Sequence, residues 1–260
     1  MENARHTDIL RILQARRRVT VTELTSRLAV SEVTIRKDLA LLEDMGLLSR
    51  TRGGAALAED REQRKSLWSR RTENVEGKRR IAARAAELVQ EGETVYIDSG
   101  STCGFLADEL ADRTLRVVTN SIDATTALAD VPSIALFTVG GSYRKEAGSF
   151  IGPLAVSAVS QMHIDTAFLG TSGFSNDGMF SSQNTIESEL KQHVIARAER
   201  CVLLVDRSKI GRTAFSVFAR VQDMDLIVID ACPGEIPAFD TFGGQGTELV
   251  YAACEATMNT

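Results

Sequence analysis

Five short clusters of hydroxyl, amide, glycine and charged residues have the composition of an anion site. Asp98-Ser99-Gly100-Ser101-Thr102 follows an apolar run and opens a helical pattern. Backbone amides, hydroxyls and a helix N-terminus can therefore converge there on a phosphate or carboxylate. Thr119-Asn120, Gly140-Gly141 and Gly170-Thr171-Ser172-Gly173 each end a later apolar run. Asp206-Arg207-Ser208-Lys209-Ile210-Gly211 ends another and supplies a cation. Singly, each cluster reads as a turn, because glycine and asparagine make turns. Five of them after consecutive strand-like runs read as one pocket.

A second constellation, cationic, lies near the N-terminus. Val33, Arg36 and Lys37 point away from the apolar face formed by Ile35, Leu39 and Leu42, with Thr34 at its margin. Arg36 and Lys37 can reach phosphates or base edges of duplex DNA, Ser31 and Thr34 can bond phosphates, and Val33 can touch a thymine methyl. The alternative is a three-helix protein-interaction module with solvated arginines. Charge favours a polyanion at this end only: residues 1–80 carry 18 Lys/Arg against 12 Asp/Glu, and residues 81–260 carry 12 against 23. Aromatic residues are 5% of the chain and do not interleave with a basic stretch, which argues against an RNA-stacking platform.

The front constellation needs a compact scaffold. Ile9, Leu10, Ile12 and Leu13 give a first helix an apolar stripe, and that helix ends in Arg16-Arg17-Arg18. Thr20-Val21-Thr22-Glu23 is a capping box for a second helix that buries Leu24 and Leu28. Ser31 caps a third, from Glu32 to about Met45, stopped by Gly46. Leu47 to Gly54 alternates like a hairpin, a wing carrying Arg50 and Arg52. This is the spacing of a winged helix-turn-helix over residues 1–56. A charge-rich linker is expected over 57–77.

From residue 78 to 260, β-like runs (94–98, 115–120, 134–139, 166–170, 201–206, 226–230, 248–252) alternate with helical patterns (81–89, 105–110, 124–128, 186–198). That alternation predicts a mostly parallel α/β sheet with its site at the strands' C-terminal ends. Apolar residues are 43% and charged residues 25%, close to a globular average. No apolar run approaches the roughly 18 residues of a membrane span, and Met1 to Asp8 holds no signal-peptide core. Cys103, Cys201, Cys232 and Cys254 lie far apart with no C-x-x-C pair, so neither a zinc site nor a disulfide framework is expected, and a reducing cytoplasm suits them. His6, His163 and His193 form no metal or triad pattern. No metal, cofactor or membrane partner is expected.

Two stretches make the reading specific. Val30-Ser31-Glu32-Val33-Thr34-Ile35-Arg36-Lys37-Asp38-Leu39, followed by Arg50-Thr51-Arg52-Gly53-Gly54-Ala55, resembles the DeoR family of bacterial transcriptional regulators. The rear clusters resemble that family's effector domain in the same order. Where the family commonly has a second Arg, this chain has Lys37, which weakens a bidentate guanine contact there. The resemblance implies a winged helix-turn-helix followed by a domain related in fold to sugar-phosphate isomerases. It implies a cytoplasmic repressor of a sugar or polyol catabolic operon, a homo-oligomer (dimer or tetramer) released from operator DNA by a phosphorylated sugar. Ser99 to Thr102 would hold the phosphate. Asp98, Asn120 and Lys209 would contact sugar or phosphate, with Gly140, Gly141 and Gly170 lining the pocket. Glu187 and Lys191 read as a surface i, i+4 ion pair, with a pocket role as the alternative. A competing possibility is an isomerase-like enzyme, since Asp98, Glu187, Lys191, Asp206 and Lys209 include groups able to move a proton beside a carbonyl. No spacing names an acid/base pair, and an enzyme has no use for the front domain, so no catalytic residue is assigned.

Overall fold

A computed structural model describes residues 2–16, 18–44, 47–51, 53–56, 67–236 and 246–253. The chain divides into two compact units, residues 1–70 and 71–260.

The smaller unit runs α1 (Glu2–Arg16), β1 (Arg18–Thr20), α2 (Val21–Leu28), α3 (Glu32–Asp44), β2 (Ser49–Thr51) and β3 (Gly54–Ala56). Thr20 caps α2 as its sequence requires: the Glu23 amide donates to Thr20 Oγ1 at 3.1 Å, and the Thr20 amide donates to Glu23 Oε2 at 2.9 Å. Ile9, Leu13, Val19, Leu24, Ile35, Leu39, Leu42 and Leu48 form the core of this unit, and Leu28 packs against it half-buried. One expectation fails here. Arg18 does not end the first helix but opens a strand, and the wing is a three-stranded antiparallel sheet in the order β1-β3-β2. Val19 explains it, since in β1 it enters the core between two exposed neighbours. Gly54 permits the pairing, because a Cβ there would lie 2.1 Å from the Val19 carbonyl oxygen. Met45, Gly46 and Arg52 lie outside the described residues, as does 57–66 of the expected linker.

Beyond it, α4 (Leu67–Thr72) and α5 (Val75–Ala86) are helical, and the larger unit begins at Arg71 rather than Lys78. Then follow β4 (Thr94–Ile97), α6 (Ser101–Glu109), β5 (Leu115–Thr119), α7 (Ile122–Leu128), β6 (Ile134–Thr138), β7 (Ser142–Arg144), β8 (Ser149–Ile151), α8 (Pro153–Ser160) and β9 (Ile164–Gly170). The rest are β10 (Gly173–Phe174), β11 (Met179–Ser182), α9 (Thr185–Ile195), β12 (Ala198–Val205), β13 (Ser216–Arg220), β14 (Leu226–Ile229) and β15 (Glu248–Tyr251).

Seven strands, the seven apolar runs of the sequence, form one parallel sheet in the order β15-β14-β12-β9-β4-β5-β6. Both faces are covered. Val95, Ile97 and Val117 meet Ile81, Leu106 and Ala124 of α5, α6 and α7. Tyr96, Val118 and Leu203 meet Val159, Leu190 and Val194 of α8 and α9, together with Phe174, Phe180 and Phe218 of the small β10-β11-β13 sheet. The chain starts at the central β4, winds outward through β5 and β6, then returns to β9 on the other side of β4. The order therefore reverses between β4 and β9, the place where open α/β sheets carry their ligands. Cys232 stands in a disulfide whose partner lies outside the described residues, against the expectation from spacing; separation along the chain does not report which loops the fold brings together.

Candidate functional site

On α3 the fold leaves outward the side chains expected to read DNA. Val33 is 65% exposed, and Arg36 and Lys37 are exposed. Arg36 makes a 3.3 Å ion pair with Glu32, both partners more than half exposed, a contact cheap to break. Ser31 accepts from the Thr34 amide at 3.3 Å as the helix cap, and the two hydroxyls hydrogen-bond each other at 2.9 Å. Arg50 sits exposed on β2, its amide donating to Glu43 Oε1 at 2.8 Å, which ties the wing to the end of α3.

Asp38 is the residue that sequence reasoning passed over here. It is buried on the face of α3 that carries Ile35, Leu39 and Leu42, and it accepts two bonds from Arg5 (2.6 and 2.9 Å) and lies 3.0 Å from His6 Nε2. Burial pushes its carboxyl pKa up, but the Arg5 and His6 hydrogen bonds outweigh that and hold it below the usual range. A buried carboxylate thus fastens α1 to the exposed helix. Its available signal was an acid on an otherwise apolar helical stripe.

At the switch point, Asp98 leaves β4 almost fully buried. Its Oδ2 accepts the Gly170 amide at 2.9 Å and the ammonium of Lys191, which also donates to the Gly170 carbonyl at 3.0 Å and lies 5.3 Å from the Phe218 ring. One ion pair therefore joins β4, β9 and α9. This corrects the surface-pair reading: Glu187 and Lys191 are both buried, Lys191 pairs with Asp98, and Glu187 accepts from Arg144 of β7. Burial pulls the Lys191 pKa down, yet Asp98 and Glu187 more than offset it and keep the ammonium charged.

Several buried polar atoms of this unit have no hydrogen-bond partner among the described residues: Asp98 Oδ1 and Ser99 Oγ at the pair itself, Asn120 Oδ1 at the end of the neighbouring strand β5, and, unforeseen from sequence, Ser149 Oγ of β8 and Ser182 Oγ of β11. Asn120 and Ser149 are neighbours, for β8 runs against the end of β5 and the Phe150 amide donates to the Asn120 carbonyl at 2.8 Å. Ser101 and Thr102 open α6, whose N-cap, Gly100 at φ 115°, supplies no side-chain acceptor, so the first-turn amides keep their capacity for an anion. Gly170 is pressed into the crevice, where a Cβ would lie 3.4 Å from Cys103 Sγ and 3.5 Å from the Ser99 carbonyl. Gly140 and Gly141 follow β6, and Gly141 packs on β8 too closely for a Cβ, 2.5 Å from the Ile151 carbonyl. Lys209 sits half-buried on a single helical turn after β12, the strand next to β9. The fold thus gathers Asp98 to Thr102, Asn120 and Gly170 at one crevice and sets Lys209 at the same end of the sheet.

Comparison with known proteins agrees with both units. Residues 5–61 match the DeoR-like helix-turn-helix domain and residues 73–231 the DeoR C terminal sensor domain. The HTH-type transcriptional repressor GlcR of Bacillus subtilis is 32% identical over 93% of this chain and 93% of its own. The glycerol-3-phosphate regulon repressor of Escherichia coli is 32% identical over 89% of this chain and 92% of its own. Among solved structures, a ribose 5-phosphate isomerase A from Methanocaldococcus jannaschii aligns at 21% identity with a TM-score of 0.40, covering 53% of this chain and 55% of that one.

Proposed function

Because the chain belongs to the DeoR family of transcriptional regulators, we propose that a phosphorylated sugar or polyol fills the crevice between β4 and β9 and thereby releases the front unit from operator DNA. The protein is a DNA-binding regulator and not an enzyme. The observation that carries the effector reading is the buried Lys191–Asp98 pair, with Asp98 Oδ1, Ser99 Oγ and Asn120 Oδ1 unpartnered beside the open N-terminus of α6. Buried acceptors of this kind suit sugar hydroxyls, and a helix N-terminus suits a phosphate. Relatives named for the glycerol-3-phosphate regulon and for the lactose phosphotransferase system are consistent with a small phosphorylated ligand.

In this reading Ser99 to Thr102 hold the phosphate, Asp98 and Asn120 bind hydroxyls, and Lys209 closes the site. Ser31, which caps α3, and Val33, Thr34, Arg36 and Lys37 of α3 enter a major groove, and Arg50 and Arg52 of the wing hold the flanking backbone. A homo-oligomer would set two such helices about 34 Å apart. The work belongs in the cytoplasm, where DNA and phosphorylated sugars meet. A thermal-shift screen of sugar phosphates, polyol phosphates and their unphosphorylated counterparts tests it. At least one phosphorylated compound should raise Tm and weaken operator binding while its unphosphorylated form does neither. Equal responses to both forms, or to none of the panel, would refute the assignment.

A further inference from the structure

The larger unit is joined to the DNA-reading unit through the residues that precede α5, and the last of these is pinned from within. Asn74 has a left-handed backbone (φ 46°, ψ 48°), a region that non-glycine residues avoid and asparagine tolerates best. Its side chain does not cap α5. Instead Nδ2 donates to Asp206 Oδ2 at 3.0 Å and to Asp230 Oδ2 at 2.8 Å. Those two carboxylates follow β12 and β14 and are each 1% exposed. Lys78, one turn along α5 and 2% exposed, stands 3.9 Å from Asp206 Oδ2, and Arg80 bonds Asp230 at 2.7 Å. Gly77 allows the approach, since a Cβ there would lie 2.1 Å from Asp230 Oδ2 and 2.4 Å from Asn74 Nδ2.

Asp206 faces two ways. Its Oδ2 belongs to Asn74, whereas its Oδ1 accepts the Ser208 amide at 2.8 Å and so caps the turn that carries Lys209. A movement of that turn therefore displaces the acceptor that holds Asn74, and a buried amide cannot exchange one carboxylate for water at no cost. We infer that Asn74 is a positioning residue of the regulatory response, reporting the state of the Lys209 turn to the segment that leads to the DNA-reading unit. The inference rests on the proposed effector site, because the turn must respond to a ligand.

Asn74→Gly tests it, for glycine adopts the left-handed backbone freely and removes the side chain that carries the amide. Gly77→Ala is the companion, placing a methyl group between Asn74 and Asp230. Both are made in the full chain. The probe is whichever of glycerol 3-phosphate, glucose 6-phosphate, fructose 1-phosphate and ribose 5-phosphate raises the parent's Tm most, and the operator is a duplex selected by the parent from random sequences. The parent should lose operator affinity on adding the probe by a factor in the usual allosteric range, about 5–150-fold. Asn74→Gly and Gly77→Ala should keep the Tm rise and the ligand-free operator affinity while that factor falls below about 2-fold. Release as strong as the parent's overturns the inference and leaves the site reading standing. Joint loss of the Tm rise and of operator binding marks Asn74 as a packing residue and overturns it too. A parent that none of the four compounds stabilises takes down the site reading, and this inference with it.

Discussion

Replacing Lys191 with methionine isolates the ion pair on which the crevice is built. The side chain is 3% exposed and its partner Asp98 1%, so methionine fills much the same space but leaves a carboxylate whose remaining donor is the Gly170 amide. Removing one member of a buried pair costs about 3–5 kcal/mol. For a unit of this size, 1 kcal/mol moves Tm by about 2–4 °C, so the larger unit should melt about 6–20 °C lower at pH 7. The pH dependence has a fixed sign. In the parent, Lys191 has a folded pKa raised above its ordinary value, so its contribution is fully present at pH 7 and is lost only as pH rises through that raised value. Scanning calorimetry at several pH values between 5 and 8 follows the larger unit, and Asp98→Asn combined with Lys191→Met should recover most of the loss. A single Lys191→Met variant that melts within about 2 °C of the parent at every pH would show that the pair carries no such energy.

Arg36→Ala should abolish operator binding in a mobility-shift assay while the sugar-phosphate Tm rise stays intact, because Arg36 is exposed on α3 and its ion pair is to the exposed Glu32. Lys209→Ala should leave operator binding intact and blunt release; a variant that responds to effector as the parent does would remove Lys209 from the site. Asp38→Ala should destabilise the small unit by about 3–5 kcal/mol, enough to unfold it, and calorimetry should show its transition disappear first. Because the folded pKa of Asp38 is depressed, its stabilisation is present above the unfolded value near 3.9 and is lost as pH falls through the folded one. Operator binding by the parent should therefore persist at pH 5 and collapse below about pH 4.

The parallel sheet was legible because strands covered on both faces are continuous apolar runs, as in Val202-Leu203-Leu204-Val205, each closed by a polar or glycine-rich turn. The same habit made Asp98 to Thr102 visible, a contiguous cluster at the end of such a run. The small sheet was not visible. β10, β11 and β13 are two to five residues long and broken by serine and glycine, and their contribution is one ring each, Phe174, Phe180 and Phe218. β1 was hidden by its arginine, since Arg18 is as natural after a helix as in an edge strand.

The charged residues failed in a more instructive way. Asp38, Lys78 and Lys191 each lie on the apolar stripe of a helix, beside Ile35 and Leu39, Ile81 and Ala82, and Leu190 and Val194 respectively. Helical period alone places all three inside, and an ion placed inside must be paired. What period cannot supply is the partner. Asp38 finds Arg5 and His6 more than thirty positions away, and Lys191 finds Asp98 ninety-three positions away. Pairing Lys191 with Glu187 was the local solution that helix geometry offered, and it fails because both side chains face the same buried crevice, where each has a stronger partner from another element. A charge on an apolar stripe is therefore readable as a demand, and it locates the junctions of the fold before their partners are known. Here those junctions are the clamp beneath α3, the ion pair that joins β4, β9 and α9, and the lock at the head of α5.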